Sequence, residues 1–294
     1  PLLPAPLRHA LGLRYERVSG IVGGRAASSV ANVVTLLLRM LPLRSRVAVK
    51  ERLALTGALD YEGGNIRLAL DSDVECTMRL HSCRKEPETI AWIESEMRPG
   101  DVVFDIGANV GAYSLVIDRY LGARGTVYAF EPGFANFAQL SRNILLNEAQ
   151  GRVVPVCAAL SDRNGLQEFW FSDLATGSAL HSLDLEGGTR SPTGPVHSQQ
   201  VIAYRTDDFI DRYRLPAPNH IKLDVDGAEL AVLAGAERTL RNSSLRSVLV
   251  EMEPAADGRS DQVRDRLERV GFMLRSEHPH GDSPLATRNC VFSR

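Results

Sequence analysis

From residue 102 onward the apolar positions follow two alternating rhythms. Runs of about five β-type residues alternate with stretches where apolar residues recur three or four apart, the spacing of one helix face. Val102–Ile106 (VVFDI) reads as a buried strand, and Tyr113, Val116, Ile117 and Tyr120 mark a helix after it. The run 126–130 (TVYAF) predicts the next strand, and Phe137, Leu140 and Ile144 share a face of the following helix. Further strands are expected at 153–158, 166–171 (LQEFWF), 200–204 (QVIAY), 220–225 (HIKLDV) and 247–252 (SVLVEM). Leu230, Leu233, Ala236 and Leu240 mark one helix, and Val263, Leu267 and Val270 another, stopped by Gly271. The segments 273–275 and 290–293 would close the sheet. Strands alternating with helices predict an α/β fold with a mostly parallel sheet covered on both faces.

Two regions break the rhythm. Residues 173–199 are rich in Gly, Ser, Thr and Pro and have no period. A connection this long inside a domain reads as a lid, and Gly177, Gly187, Gly188 and Gly194 would let it move over a bound acceptor. The first hundred residues read as mainly helical to about Lys50, then strand-like at 66–70 and 74–80.

Charge changes the picture only at the amino-terminal end. The chain has 294 residues and a net charge of −2, which gives no reason to expect nucleic-acid binding. Residues 1–50, however, hold seven Arg and one Lys against the single acid Glu16. With the apolar run 30–43, this arm could dock on an anionic membrane surface, cap the fold as helices, or form a dimer contact. The run is interrupted by Asn32, Thr35 and Arg39 and is too short to span a bilayer of ~30 Å. The four cysteines form no C-x-x-C pair, so neither a disulfide framework nor a zinc site is indicated. A cytoplasmic location follows as the expectation, with the inner face of a membrane as its variant.

The candidate chemistry begins at Asp105-Ile-Gly107-Ala-Asn109-Val-Gly111, where a strand turns into a helix. Such a turn is a ready cradle for a nucleotide. In a dinucleotide fingerprint the second glycine lets the backbone approach a pyrophosphate. Here that position is Asn109, which would crowd a pyrophosphate but suits a nucleoside without a diphosphate, such as S-adenosylmethionine. Glu131, at the tip of the second strand, can accept hydrogen bonds from a ribose diol. A Rossmann-type NAD enzyme remains the alternative from another enzyme class, disfavoured by Asn109. A catalytically silent scaffold of the same fold is disfavoured by the intact turn together with Glu131.

The blocks DIGANVG, AFEP, LSDRNG and IKLDVDGAE, in that order, resemble the FkbM-type methyltransferase family over roughly residues 86–253. The resemblance implies a class I methyltransferase fold, Rossmann-like, with a seven-stranded sheet whose last strand is antiparallel and a largely helical amino-terminal extension. It implies a boundary between an extension at 1–84 and an S-adenosylmethionine-binding domain at 85–294. It also implies O-methylation of a hydroxyl on a sugar, glycan or secondary metabolite. Carried onto this chain, Asp105, Gly107, Asn109 and Gly111 would surround the methionine part and ribose. Glu131 would hold the ribose hydroxyls, and Ser161 and Asp162 would lie beside the adenine. Asp162 reads equally well as the start of a turn with Asn164 and Gly165. Family members often read DVEGAE where this chain has DVDGAE, so the shorter Asp226 has a different reach. A contact to the cofactor from above is expected for Lys85-Glu86-Pro87-Glu88-Thr89.

Methyl transfer to a hydroxyl needs alignment and a proton acceptor. Strand alternation over 220–226 places Lys222, Asp224 and Asp226 on one face. Asp224 is the first candidate base, kept ionised by Lys222; Glu251 and His181 are the others. Glu229 reads more readily as a helix-start carboxylate, and Glu253 as a site rim or a solvated strand end. Asp224, Asp226 and Glu251 could converge on a metal, but nothing in the spacing demands one.

Overall fold

The structure, a computed structural model, describes residues 25–179, 181–183, 197–252, 258–280 and 287–294. It divides into two compact units, residues 1–56 and 57–294. Within the first are helices α1 (Arg25–Arg39) and α2 (Leu43–Arg52). No helix among the described residues is long and apolar enough to cross a membrane.

The second unit opens with a two-stranded sheet of β1 (Thr56–Ala58) and β2 (Arg67–Ala69), then the short helices α3 (Asp73–Thr77) and α4 (Ser82–Lys85) and helix α5 (Pro87–Glu96). The division at residue 56 differs from the boundary expected after residue 84. Leu59, Tyr61, Ile66, Leu68 and Cys83 are buried in the same core cluster as the main sheet. The strand expected at 74–80 is helical instead. Ser72 caps α3: its Oγ accepts from Glu75 N at 3.1 Å, while Glu75 Oε2 accepts from Ser72 N at 2.9 Å. This reciprocal box supplies the helix-start donors that an alternating pattern alone does not reveal.

Then come β3 (Val102–Ile106), α6 (Ala112–Leu121), β4 (Thr126–Phe130), α7 (Phe134–Leu146), β5 (Val153–Val156) and β6 (Ala159–Leu160). They are followed by β7 (Gly165–Phe171), β8 (His197–Tyr204), α8 (Thr206–Tyr213) and β9 (His220–Leu223). The last elements are α9 (Glu229–Gly235), α10 (Glu237–Arg241), β10 (Ser247–Met252), α11 (Arg259–Arg269), β11 (Met273–Pro279) and β12 (Arg288–Ser293).

Seven strands form the main sheet in the order β11-β12-β10-β9-β3-β4-β5. Pairings across β10, β9, β3, β4 and β5 are parallel, and β12 runs antiparallel to both of its neighbours. This is the mostly parallel seven-stranded sheet, with its last strand antiparallel, that the resemblance implied. Successive residues of one strand enter different cores. Val248 and Val250 join one cluster and Leu249 the other; Val103 and Phe104 divide in the same way. Burial on both faces explains why these strands read as continuous apolar runs. The strands read at 166–171 and 200–204 are present but lie outside this sheet. With β6 they make a separate three-stranded sheet in the order β6-β8-β7. Phe169, Phe171, Val201 and Ala203 give it a small core of its own.

The tightest backbone approach joins β3 to the end of β9. Gly107 has φ +87°, and a Cβ there would lie 1.8 Å from the Asp224 carbonyl oxygen. Gly100 has φ +103° and nothing near its Cβ position. Both alanine variants carry the strain of a left-handed residue, ~1–3 kcal/mol, but only Gly107→Ala also drives two backbones apart. Thermal unfolding should therefore show Gly107→Ala as clearly the less stable variant. Equal stability would mean that the two strand ends are free to separate.

Candidate active site

The parallel strands β3, β4 and β9 deliver their carboxyl ends to one open cleft. That is where ligands bind in open α/β sheets. Gly107, Asn109, Glu131, Asp224 and Asp226 line it on the strand side. Ala158, Phe169, Ser178 and His181 face them.

The glycine turn shows what Asn109 does. The N–H groups of Gly107 and Ala108 donate to Phe130 O at 3.0 and 2.9 Å, tying the turn to β4. Asn109 then adopts φ +52°, a left-handed conformation that asparagine tolerates better than most residues. Its backbone N–H donates to Glu131 Oε2 at 2.9 Å, and its side-chain amide donates to Ser178 O at 2.9 Å. The side chain thus spans the cleft as a strut. Gly111 lies below, at the start of α6, where a Cβ would meet Leu140 at 2.5 Å; it supports the turn and does not line the cleft.

Glu131 is buried, and its Oε1 accepts from Gly133 N at 2.7 Å. Burial pushes its carboxyl up to about 7, against the pull of the backbone bonds from Gly133 and Asn109. An ionised carboxylate has about four acceptor positions. Two are occupied, so the carboxylate retains capacity for a diol in the cleft.

Behind the cleft lies a chain of charges. Lys222 is 2% exposed, and its Nζ donates to Asp224 Oδ2 at 2.8 Å and lies 4.9 Å from the Tyr113 ring centroid. Burial works against its charge, but Asp224, Asp105 and Glu86 outweigh it and hold the ammonium above its ordinary pKa. Asp224 is opposite in sign: burial would raise its carboxyl, yet Lys222 and a hydrogen bond with Glu251 hold it below the usual range. Glu251 is pushed up by burial and by the Asp224 charge. Asp105 is buried beneath, accepts from Ser114 Oγ at 2.5 Å, and has no hydrogen-bond partner at Oδ1. The strand ends at Leu223, so the expected alternation holds for Lys222 and Asp224 and breaks at Asp226, where φ is +51°.

Glu251 leads to a part of the site that sequence reasoning missed. His280 Nδ1 lies 3.1 Å from Glu251 Oε1, and its Nε2 lies 3.2 Å from Glu88 Oε1. Asn289 Nδ2 donates to the same Glu88 oxygen at 2.8 Å and to Glu86 Oε2 at 3.3 Å. The segment 85–89 joins this charge chain through Glu86 and Glu88, and none of its residues lines the cleft. His280 and Asn289 follow no spacing rule relative to Asp224, so no local signal marks them. Asn136 was missed too, although it follows Glu131 closely on α7. Its Oδ1 accepts from Gly177 N at 2.8 Å, and its amide donates to Ser178 O at 3.1 Å.

Other candidates fall elsewhere. His181 lines the cleft but accepts the Ser172 N–H at Nδ1, 3.2 Å away, which places the ring proton on Nε2. Burial lowers its pKa to about 4. With its Nδ1 lone pair occupied, it is a poor choice of base. Ser161 and Asp162 bond to each other at 3.2 Å beside the cleft, whose wall is built instead by Ala158, Ala159 and Leu160. Asp162 O accepts from Arg205, and Asn164 bonds Asp208 and Arg205, so this stretch is a braced turn. Glu229 begins α9 and accepts from Gly227 N at 3.0 Å, the helix-start part expected of it. The first part of the expected lid is fastened. Thr176 O accepts from Ser72, Gly177 O from Arg79, and Ser178 O from both asparagines. Residues 184–196 and Glu253 lie outside the described residues. Asp224, Asp226 and Glu251 bring one oxygen each within 4.8 Å of one another, close enough to share a cation; in the structure Lys222 already neutralises Asp224.

Comparison with known proteins was informative. The model of the methyltransferase FkbM domain matches residues 105–274. The hexuronic acid methyltransferase AglP of Haloferax volcanii is 28% identical over 76% of this chain and 86% of its own. The 31-O-demethyl-FK506 methyltransferase FkbM of Streptomyces tacrolimicus is 32% identical, over 62% of this chain and 76% of its own. A crystal structure of a methyltransferase FkbM from Methylobacillus flagellatus superposes with a TM-score of 0.47 at 15% identity, covering 67% of this chain and 44% of that one.

The charge chain makes a pH-dependent prediction. Hydrogen bonds to Glu251 and Glu88 raise His280 from an ordinary value of 6.5 to about 10. A folded-state pKa raised above the unfolded one adds stability in full below 6.5, and loses it as pH rises through about 10. Nitrogen NMR should find the His280 ring doubly protonated at a pH midway between these values. Denaturant titrations of His280→Ala should lose part of the decline in stability over that window. A neutral ring there would refute the clamp.

Proposed function

The chain belongs to the FkbM methyltransferase family and is a methyltransferase; from that premise we propose that it uses S-adenosylmethionine to O-methylate a hydroxyl on a sugar, glycan or secondary metabolite. One observation carries the reading: Glu131 and Asp224 open into the same cleft from the parallel strands β4 and β9, which flank β3 on either side. One carboxylate is suited to a ribose and the other to a reacting hydroxyl. The names of the relatives, a hexuronic acid methyltransferase and a 31-O-demethyl-FK506 methyltransferase, support a hydroxyl on a sugar or a secondary metabolite as the acceptor.

The residues fit the cofactor. Glu131 retains acceptor capacity at the strand tip, and Asn109 closes the space a pyrophosphate would need. Asp224 and Asp226 put negative charge along the wall where a sulfonium would lie. When bound, S-adenosylmethionine supplies a methyl group already activated by positive sulfur. The chain's own task is to align the acceptor and take its proton. Asp224 faces the cleft and orients the hydroxyl. Lys222 keeps it ionised, but that same charge makes it a weak base. Glu251, with an oxygen within 4.8 Å of one on Asp224 and the more basic of the two, lets the carboxylates share the incoming proton as a pair. His280 holds Glu251 in place from its far side.

Two variants test the reading. Calorimetry should show S-adenosylmethionine and S-adenosylhomocysteine binding to the parent chain, and Glu131→Ala weakening both by ~1.5–3 kcal/mol. Binding of NAD in their place would favour a dehydrogenase. With labelled cofactor and a panel of sugars and hydroxylated metabolites, Asp224→Asn should lower turnover ~10²-fold or more while cofactor affinity changes little. Collapse of cofactor affinity in Asp224→Asn would make Asp224 a cofactor ligand and move the base to Glu251.

A further inference from the structure

Helix α1 carries an apolar face that no buried partner accounts for. At 100° per residue the apolar side chains from Leu36 round to Leu38 cover an arc of about 200°, with Asn32, Thr35 and Arg39 on the remainder. Val30 is 64% exposed, Leu37 59% and Met40 78%. Val33, Val34 and Leu41 are exposed beside them. Soluble chains seldom leave a contiguous patch of this kind uncovered. Helix α2, which follows after Pro42, buries none of its residues. Across residues 29–52 the charges are Arg39, Arg44, Arg46, Lys50 and Arg52 against the single acid Glu51.

Apolar face and charge together select the occupant. A second copy of this helix pair would bring like charges together, and a coiled-coil seam needs a narrower stripe than this one. A helix that lies in a membrane interface has these features: a broad apolar face, a polar face holding Arg, and a length too short to span. The exposed basic side chains of α2 add attraction to anionic headgroups.

We propose that residues 25–52 are a membrane-surface anchor, with the apolar face of α1 laid into the interface of an anionic bilayer and the arginines of α2 against its headgroups. Such an anchor would hold the methyltransferase unit near acceptors presented at a lipid surface. It stands independently of the cofactor reading, since neither depends on the residues of the other.

The test is sedimentation of the full chain with phosphatidylcholine vesicles, with and without phosphatidylglycerol, at low and high salt. The chain should sediment with the anionic vesicles at low salt and be released by high salt. Arg44→Glu combined with Arg46→Glu should lower the partition coefficient by about tenfold or more. Val33→Asp combined with Leu37→Asp should abolish binding, while the thermal unfolding midpoint stays that of the parent. No binding to anionic vesicles, or equal binding to neutral ones, would overturn the proposal. So would a dimer in analytical ultracentrifugation that Leu37→Asp dissolves in a chain that ignores vesicles; the face would then belong to a second copy.

Discussion

A lysine ammonium buried in the middle of a sheet sets the terms for this site. Lys222 occupies β9, between β3 and β10, and an isolated charge there would cost several kcal/mol of lost hydration. The fold answers with carboxylates from separate elements: Asp224 just beyond its own strand, Asp105 on β3 and Glu86 ahead of α5, with the Tyr113 ring from α6 at its side. Each of these brings further partners. Asp105 fixes Ser114, Asp224 meets Glu251, Glu251 meets His280, and His280 meets Glu88. A chain of charged groups thus runs from the sheet centre to its β12 side, and Asp224 is the member of it that lines the cleft. The cleft carboxylate is held by the same interaction that makes the buried lysine tolerable.

The glycine-turn side of the cleft rests on backbone geometry. Gly107 brings β3 against the carbonyl of Asp224, so the turn and the end of β9 share a contact that admits no side chain. Asn109 adds a cross-brace to Ser178, and Asn136 a second one. Turn, β4 tip and facing loop are therefore one connected piece, and a ligand entering there meets a largely prepared surface.

Much of this was legible in the chain. The strands of the parallel sheet announce themselves because burial on both faces leaves them mostly apolar. The glycine turn and Glu131 stood out because their chemistry is local and ordered along the chain. What stayed hidden depends on distance in sequence. Residues 74–80 alternate like a strand, but Ser72 and Glu75 cap them into a helix. The aromatic run 166–171 looks the same whether its strand joins the main sheet or pairs with β8 apart from it. His280 and Asn289 meet Glu88 across roughly two hundred residues, and a lone histidine in a polar stretch gives no sign of which carboxylates will enclose it. Ile66 and Leu68, within the expected extension, carry no motif, only apolar surface that the main core takes up.

The place of β12 in the sheet has a consequence for how the protein is made. It lies between β10 and β11 and pairs with both, so β11, although earlier in the chain, has no edge to join until β12 has been synthesised. Asn289, which steadies Glu88, is on that strand as well. A nascent chain still lacking these residues would therefore expose the flank of β10 to solvent and hold its charge chain unfinished. Emergence of this segment from the ribosome becomes the event that both seals this flank of the sheet and completes the charge chain.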